Sequence, residues 1–190
     1  MAKMLASCSW DQTIKIWDYD NGVCINTLKE HSDKVWAVAF SPNGKILASG
    51  SEDQTIKLWN IPEGKCITTL HGHRGGIHSI VFTPDGRSII SGNEDSTVMI
   101  WDMESRQSSR PPLTGHKRRV ESVVFSEAYQ LIGSASGDET INLWDFESGE
   151  HVNTLKARRP YEEMNITGVR GLTDDQRESL KLLGAIDDES

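Results

Sequence analysis

Residues 11–18, DQTIKIWD, recur three times along the chain with small changes, as DQTIKLWN (53–60), DSTVMIWD (95–102) and DETINLWD (138–145). The four tryptophans of these stretches lie 42, 42 and 43 residues apart. A fixed period of about 40 residues is the sequence signature of a repeat architecture. Each repeat is one small structural unit that contacts its neighbours, so the chain is predicted to stack similar units side by side.

Three other residue types keep the same register as the tryptophans. An aspartate, a histidine and a phenylalanine each recur at intervals of 42 or 43 residues: Asp11, Asp53, Asp95 and Asp138; His31, His73 and His116; Phe40, Phe82 and Phe125. One extra residue falls between Trp101 and His116, in the stretch MESRQSSRPPLTG, which is predicted to be a loop because it is rich in serine and proline. Agreement across four columns makes the repeat the strongest signal in the sequence.

One unit, residues 35–71, shows the expected strands most clearly. Residues 35–40 are apolar at every position, as in a strand with both faces packed. A Pro-Asn-Gly turn then leads to further strand segments at 46–51, 55–59 and 66–70. Four short strands joined by tight turns predict an antiparallel sheet.

These columns make the chain resemble the WD40 repeat family, in which each repeat forms one blade of a β-propeller. The predicted organisation is a partial repeat at 1–18, repeats at 21–60, 63–102 and 106–145, a last outer strand at 146–156 and a tail at 157–190. Residues 3–9 read as the second strand of a blade, so the first blade lacks its innermost strand. The predicted fold is all-β: a partial propeller of about 3.75 four-stranded blades, forming an open arc or half ring, with a short C-terminal α-helix.

The resemblance also implies a buried hydrogen-bond network in each blade, which joins a histidine, a serine of strand two, the turn aspartate and the tryptophan. The implied sets are His31 with Ser49 or Ser51, Asp53 and Trp59; His73 with Ser91, Asp95 and Trp101; and His116 with Ser134 or Ser136, Asp138 and Trp144. A closed network satisfies buried polar groups that would otherwise lack partners.

Serine, histidine and aspartate also form hydrolase triads, so a propeller enzyme is an alternative interpretation. A triad is needed only once and requires a reachable nucleophile. Here the same constellation occurs three times with a tryptophan attached, which favours a structural role. No catalytic residue and no cofactor are predicted.

Composition limits the remaining function classes. The formal net charge of −8 argues against a nucleic-acid partner. No run of residues has membrane-spanning length, and the first residues form no apolar signal region, so no membrane association is expected and the predicted location is cytoplasmic. Cys8, Cys24 and Cys66 show neither metal-ligand spacing nor a disulfide framework. His71, His73 and His78 give no sign of convergence, and no metal site is predicted.

Candidate partner-binding residues are those that differ between units at equivalent positions on one face of the array. The position before the turn aspartate and the second residue of strand one vary most, and one neighbouring loop is basic. The candidates are Trp10, Trp36, Glu52, Arg74, His78, Glu94, Lys117, Arg118, Arg119 and Glu121. Trp10 and Trp36 stand out because tryptophan is enriched in interface hot spots. The alternative is that both tryptophans only pack against neighbours, and that the charges are solvated.

The tail, 157–190, has no repeat pattern. Thr173 begins a capping box, so a helix is predicted at about 174–183 with Gly184 at its C-cap. The tail resembles the extreme C-terminus that follows WD40 arrays in large bacterial signalling ATPases and kinases of the STAND type. Taken together, the sequence predicts a noncatalytic protein–protein interaction scaffold or recognition module, in a bacterial signalling or sensor system. A truncated or degenerate repeat fragment without independent function is an alternative, and self-association could complete the ring.

Overall fold

The computed structural model describes residues 3–156, 164–169 and 171–187. It divides the chain into two compact units, Met1–Leu155 and Lys156–Ser190. The first unit consists of antiparallel sheets and the second contains one helix, so the predicted all-β class with a short C-terminal helix is confirmed. Residues 157–163, which begin the predicted tail, lie outside the described residues.

The first unit contains four antiparallel sheets, one for each tryptophan of the repeat, each ordered as its strands follow in the chain. The first sheet has three strands, β1 (Met4–Cys8), β2 (Ile14–Asp18) and β3 (Val23–Leu28). The second sheet has β4 (Val35–Phe40), β5 (Ile46–Ser51), β6 (Thr55–Asn60) and β7 (Lys65–His71). The third sheet has β8 (Ile77–Phe82), β9 (Ser88–Asn93), β10 (Thr97–Asp102), β11 (Gln107–Ser108) and β12 (Leu113–Thr114). The fourth sheet has β13 (Val120–Ser126), β14 (Leu131–Ser136), β15 (Thr140–Asp145) and β16 (His151–Lys156).

The outer strand of the third sheet differs from the sequence prediction. The sequence predicts a loop for the Ser- and Pro-rich stretch, but two short segments of it form β11 and β12, which both pair with β10. Between them lie Pro111 and Pro112. Proline has no backbone N–H to donate to the ladder, so the outer strand is interrupted there and resumes at Leu113.

Three hydrophobic cores lie between successive sheets. Trp59 of the second sheet packs with residues of the first sheet, such as Ile14 and Ile16, and is 1% exposed. Trp101 and Trp144 pack in the same way between the second and third and between the third and fourth sheets. The repeating tryptophan therefore covers the face of the sheet before it. Among the described residues no sheet precedes Trp17, which is only partly buried.

Glycines on the second strands allow the sheets to come close together. A Cβ atom at Gly50 would lie 2.5 Å from Cγ2 of Ile77 on the next sheet, and one at Gly92 would lie 2.5 Å from Cγ1 of Val120. Real Cβ atoms do not approach other atoms so closely, so these positions require glycine if the sheets are to keep their spacing.

The four sheets do not form a closed barrel. Extensive contacts between strands of the described residues link each sheet only to the one before and the one after it. Apolar side chains consequently remain exposed on both end sheets: Leu5 of the first sheet is 51% exposed, whereas its counterpart Leu47 is fully buried. Ile141 of the fourth sheet is 43% exposed, whereas its counterpart Ile56 is fully buried.

The second unit is built around helix α1 (Asp174–Leu182). Thr173 and Gln176 form the predicted capping box, because each side chain accepts a hydrogen bond from the backbone N–H of the other. The predicted C-terminal end is one residue too late: Leu183 is the C-cap, and Gly184 follows it with a φ of 105° that favours glycine.

Candidate partner-binding surface

Four side chains of the second sheet form a buried hydrogen-bonded chain. The Nδ1 atom of His31 lies 2.7 Å from Oδ2 of Asp53, and its Nε2 atom lies 2.7 Å from Oγ of Ser49. The indole N–H of Trp59 donates to the same Ser49 hydroxyl at 2.8 Å. The serine hydroxyl thus links the ring that faces the previous sheet to the turn between β5 and β6.

The fourth sheet repeats this arrangement. His116 lies 3.1 Å from Asp138 and 2.7 Å from Ser134, and Trp144 donates to Ser134 at 2.8 Å. Burial acts to raise the pKa of Asp138, but hydrogen bonds from Thr140, the backbone N–H of Lys117 and His116 outweigh it and hold the pKa well below its usual value. Asp138 is therefore an ionised acceptor that fixes the turn after β14.

The third sheet departs from the expected set. His73 and Trp101 both meet Ser91, at 2.7 and 2.8 Å, but Nδ1 of His73 faces the side-chain amide of Asn93 and not Asp95. Asp95 is joined to this network through Asn93, whose side chain also hydrogen-bonds it, so His73 does not meet the turn aspartate directly as His31 and His116 do. Asn93 occupies the position that Ser51 and Ser136 occupy in the second and fourth sheets. Its side chain is longer than that of serine, so its amide lies between the imidazole and the aspartate.

Of the two serines considered for each network, the tryptophan binds the one nearer the middle of the strand, which is Ser49 in the second sheet and Ser134 in the fourth. The indole N–H groups of Trp59 and Trp144 donate to Ser49 and Ser134, and Ser51 and Ser136 have other partners. They donate to the backbone carbonyls of Asp33 and Arg118, at 3.1 and 2.9 Å, and accept from the backbone N–H of the turn aspartates. Both hydroxyls therefore hold the loop before strand one against the turn after strand two.

The serine hydroxyls at the centre of the networks cannot act as nucleophiles on a bound substrate. Ser49, Ser91 and Ser134 are completely buried, each beneath a tryptophan. A triad requires a serine that the substrate can reach. Burial also lowers the pKa of His31, in spite of the nearby Asp53 carboxylate, which is consistent with a neutral imidazole that serves as a hydrogen-bonding spacer.

Seven of the ten candidate partner-binding residues lie in a continuous row along one edge of the sheets. We call this row the rim strip; its members are Trp10, Trp36, Glu52, His78, Glu94, Arg119 and Glu121. Trp10 and Trp36 meet edge to face with ring centroids 5.4 Å apart. Trp36 in turn lies 5.2 Å from the ring of His78. The aromatic part of the rim strip thus crosses from the first sheet to the third.

Carboxylates accompany this aromatic row. The indole N–H of Trp36 donates to Oε2 of Glu52 at 2.6 Å, and Nε2 of His78 lies 3.4 Å from Oε1 of Glu94. In the second and third sheets, the second residue of the first strand and the residue before the turn aspartate therefore lie side by side.

The basic residues lie beside the far end of the rim strip. Arg119 contacts Glu121 at 2.5 Å, and this hydrogen bond is the main reason that the pKa of Arg119 is raised; Glu94 and Glu52 add to it. Lys117 and Arg118 line an open cleft together with Glu94. Charges of both signs thus alternate on this part of the surface.

Arg74 lies apart from the rim strip. Its backbone N–H donates to Asp95 at 3.2 Å, and it borders a different cleft with Pro112 and Thr114. Sequence reasoning also missed Lys34, whose ammonium group lies 5.3 Å from the centre of the Trp10 ring. A single lysine in a loop carries no signal of this contact, because only the fold brings the two side chains together.

The repeat pattern is shared with a known family. A family model described as WD domain, G-beta repeat matches residues 2–18, 22–60, 64–102 and 107–145, more than half of the chain. The chain belongs to the WD40 repeat family.

Curated relatives match over about one WD40 repeat. The F-box-like/WD repeat-containing protein TBL1X of Mus musculus is 57% identical over 42 residues, which are 22% of this chain and 8% of that protein. The Lissencephaly-1 homolog of Caenorhabditis briggsae is 50% identical over 42 residues, which are 22% of this chain and 11% of that protein. The chain thus aligns with about a tenth of either relative.

WD40 domains are generally noncatalytic scaffolds that bind protein partners. In the part of the chain that the structure describes, no helix has both the length and the apolar character needed to cross a bilayer.

Proposed function

We propose that this WD40 chain is a noncatalytic interaction module that binds a protein or peptide segment along the rim strip. The observation that carries the proposal is the contact between Trp10, Trp36 and His78. These two indole rings and one imidazole come from three successive repeats and form one continuous aromatic surface. The repeating scaffold does not require aromatic residues at these variable positions, whereas a partner would use the surface that they form.

The chemistry of the rim strip suits a polypeptide ligand. Trp10 is 66% exposed, so its ring offers a large apolar surface that binding would bury. Beside Trp36 and His78, Glu52 and Glu94 present carboxylates that can accept hydrogen bonds or pair with a basic side chain. Arg119 and the neighbouring Lys117 add donors for an acidic residue of the same ligand.

The proposal is tested by a double substitution, Trp10→Ala with Trp36→Ala, and a matched control, Tyr129→Ala. Tyr129 is also an exposed aromatic residue, at 77%, but it lies outside the rim strip. Partners captured from a lysate by the unchanged chain are identified, produced in recombinant form and titrated against each variant. We expect the double variant to lose a specific partner that the Tyr129 variant retains. Equal binding by both variants would show that the rim strip is not the contact surface.

Self-association belongs to the same proposal. Leu5 and Ile141 leave apolar surface exposed at the two end sheets, and a second copy could cover both ends by completing a ring. Sedimentation equilibrium at micromolar concentration distinguishes a dimer from a monomer. In a monomer, substitution of Leu5 by Lys should leave the sedimentation unchanged.

We further propose a cytoplasmic location and, from the tail alone, a bacterial signalling context. The relatives reported above are eukaryotic and match only a repeat-length segment, so they do not support that context. The proposed absence of catalysis is tested with a serine-reactive probe, for which stoichiometric labelling of the folded chain would contradict the proposal.

A further inference from the structure

We propose that Glu52, His78 and Glu94 form a binding site for a divalent transition-metal ion, of which Zn²⁺ is the best match. This goes beyond the proposed interaction function, because a partner could bind Trp10 and Trp36 whether or not an ion is held beside them. Sequence reasoning compared His78 only with the two histidines near it in the chain. The fold instead places it between two carboxylates.

The three side chains converge at the junction of the second and third sheets. Glu52 follows β5, His78 is the second residue of β8, and Glu94 follows β9. One ligand atom from each residue lies within 4.8 Å of the other two. A point between three such atoms is at most about 2.8 Å from each, so shifts of less than about 1 Å would reach the 2.0–2.2 Å of zinc–nitrogen and zinc–oxygen bonds.

His78 provides the independent sign that a ligand belongs here. Its side chain is only 9% exposed, and its Nε2 atom is buried without a hydrogen bond to any residue that the structure describes. The nearest carboxylate oxygen, Oε1 of Glu94, is 3.4 Å away and not aligned for a hydrogen bond. A buried polar atom left without a partner costs free energy, and a metal ion bound to the nitrogen lone pair would remove that cost.

Hydrogen bonds from neighbouring N–H groups orient both carboxylates. The indole N–H of Trp36 holds Oε2 of Glu52, and the backbone N–H of Gly76 points to Oε2 of Glu94 at 3.4 Å. Each carboxylate keeps its other oxygen for the ion. Hydrogen bonds of this kind fix ligating side chains in metal sites and raise their affinity.

The donor set decides between ions. One imidazole nitrogen and two carboxylate oxygens suit Zn²⁺, whereas Mg²⁺ and Ca²⁺ prefer sites made only of oxygen. Two carboxylates carry the charge that a dication neutralises. Of the cations near them, Arg119 is already paired with Glu121, and Lys117 and Arg118 line the cleft that borders Glu94. Because the Glu94 side chain is 40% exposed, a fourth position remains open to water or to a group of a partner.

The test is calorimetric titration of ZnCl₂ into the full chain without affinity-tag histidines, after treatment with EDTA. We expect one equivalent of Zn²⁺ to bind, and His78→Gln to weaken the affinity by at least about tenfold, since loss of even an outer contact typically costs that much. Glu94→Gln should weaken it as well. The matched control is His71→Gln, because His71 is an exposed histidine at the end of β7 and is outside the three-residue cluster.

Thermal melts without metal check that each variant folds, and Glu94→Gln changes an exposed side chain that the fold does not need. Co²⁺ replaces Zn²⁺ in a parallel titration, because thiolate ligation by Cys8, Cys24 or Cys66 would give intense near-ultraviolet absorption and histidine–carboxylate ligation would not. Equal Zn²⁺ affinity of His78→Gln and the unchanged chain overturns the site, as does a thiolate spectrum. Partner binding measured in EDTA tests the interaction function separately.

Discussion

The side-chain amide of Asn93 meets Nδ1 of His73 at the place where His31 and His116 face carboxylates. An amide N–H donates, so Nδ1 of His73 accepts and its proton lies on Nε2, directed at Ser91. The carboxylate-bound histidines have the opposite tautomer. The third sheet therefore contains a buried imidazole that no adjacent anion stabilises in its charged form.

We expect His73 to make the fold sensitive to acid. Burial lowers its pKa from 6.5 to about 4, and the more distant Asp95 offsets only part of this effect. The unfolded chain therefore takes up a proton between pH 6.5 and pH 4 that the folded chain does not. The free energy of unfolding should have its full value above pH 6.5 and should be lower by about 3 kcal/mol at pH 4. Urea unfolding at a series of pH values measures this slope.

The substitution Asn93→Asp should reduce that sensitivity. A carboxylate at this position would pair with the imidazolium, as Asp53 lies against His31, and raise the pKa of His73. The stability of the variant should change less between pH 6.5 and pH 4 than that of the unchanged chain. Asn153→Asp makes the same change in charge at an exposed position and should keep the original slope. Parallel curves for Asn93→Asp and the unchanged chain would show that His73 does not cause the acid dependence.

Removal of a repeating tryptophan should cost much more stability than removal of the exposed one. Trp59→Ala deletes a ring that is 1% exposed and leaves the Ser49 hydroxyl without its donor. We expect a loss of about 3 to 5 kcal/mol in the free energy of unfolding. Trp10→Ala removes the same side chain from a position 66% exposed and should cost less than about 1.5 kcal/mol, mainly from its contact with Trp36. Denaturant unfolding of both variants gives the comparison, and equal losses would contradict the network role of Trp59.

The sheets could be predicted because their signals repeat. Trp59 and Asp53 recur in register with similar neighbours, so the columns agree with one another and set the strand boundaries to within a residue or two. The interrupted outer strand of the third sheet could not be foreseen in the same way. It depends on whether residues on both sides of Pro111 find partners on β10, which is a matter of tertiary pairing.

The contacts within the candidate sites were harder to predict from the sequence, because they too depend on tertiary structure. Variation between repeats indicated positions such as Trp36 and His78, whose rings the structure places 5.2 Å apart. It did not indicate that Glu52 and Glu94 would converge on His78, since these residues lie 26 and 16 positions from it in the chain. Likewise, the repeat pattern did not indicate that Asn93, and not Asp95, would contact His73. That contact depends on the asparagine side chain being longer than the serine at the same position of the other repeats.

A methyl group at Gly50 should destabilise the packing of the second sheet on the third. The added Cβ would lie 2.5 Å from Cγ2 and 2.9 Å from Cβ of Ile77, a residue that is completely buried and has no room to move away. Overpacking of this kind typically costs about 1 to 3 kcal/mol. Gly137→Ala is the matched control, because its Cβ would lie 3.6 Å from its nearest neighbour, Oε1 of Glu121, at ordinary contact distance. We expect thermal melting of Gly50→Ala to occur several degrees lower than that of Gly137→Ala. Identical melting temperatures would mean that the two sheets can move apart to accommodate the added methyl group without a loss of stability. The close approach at Gly50 would then not be required for the fold.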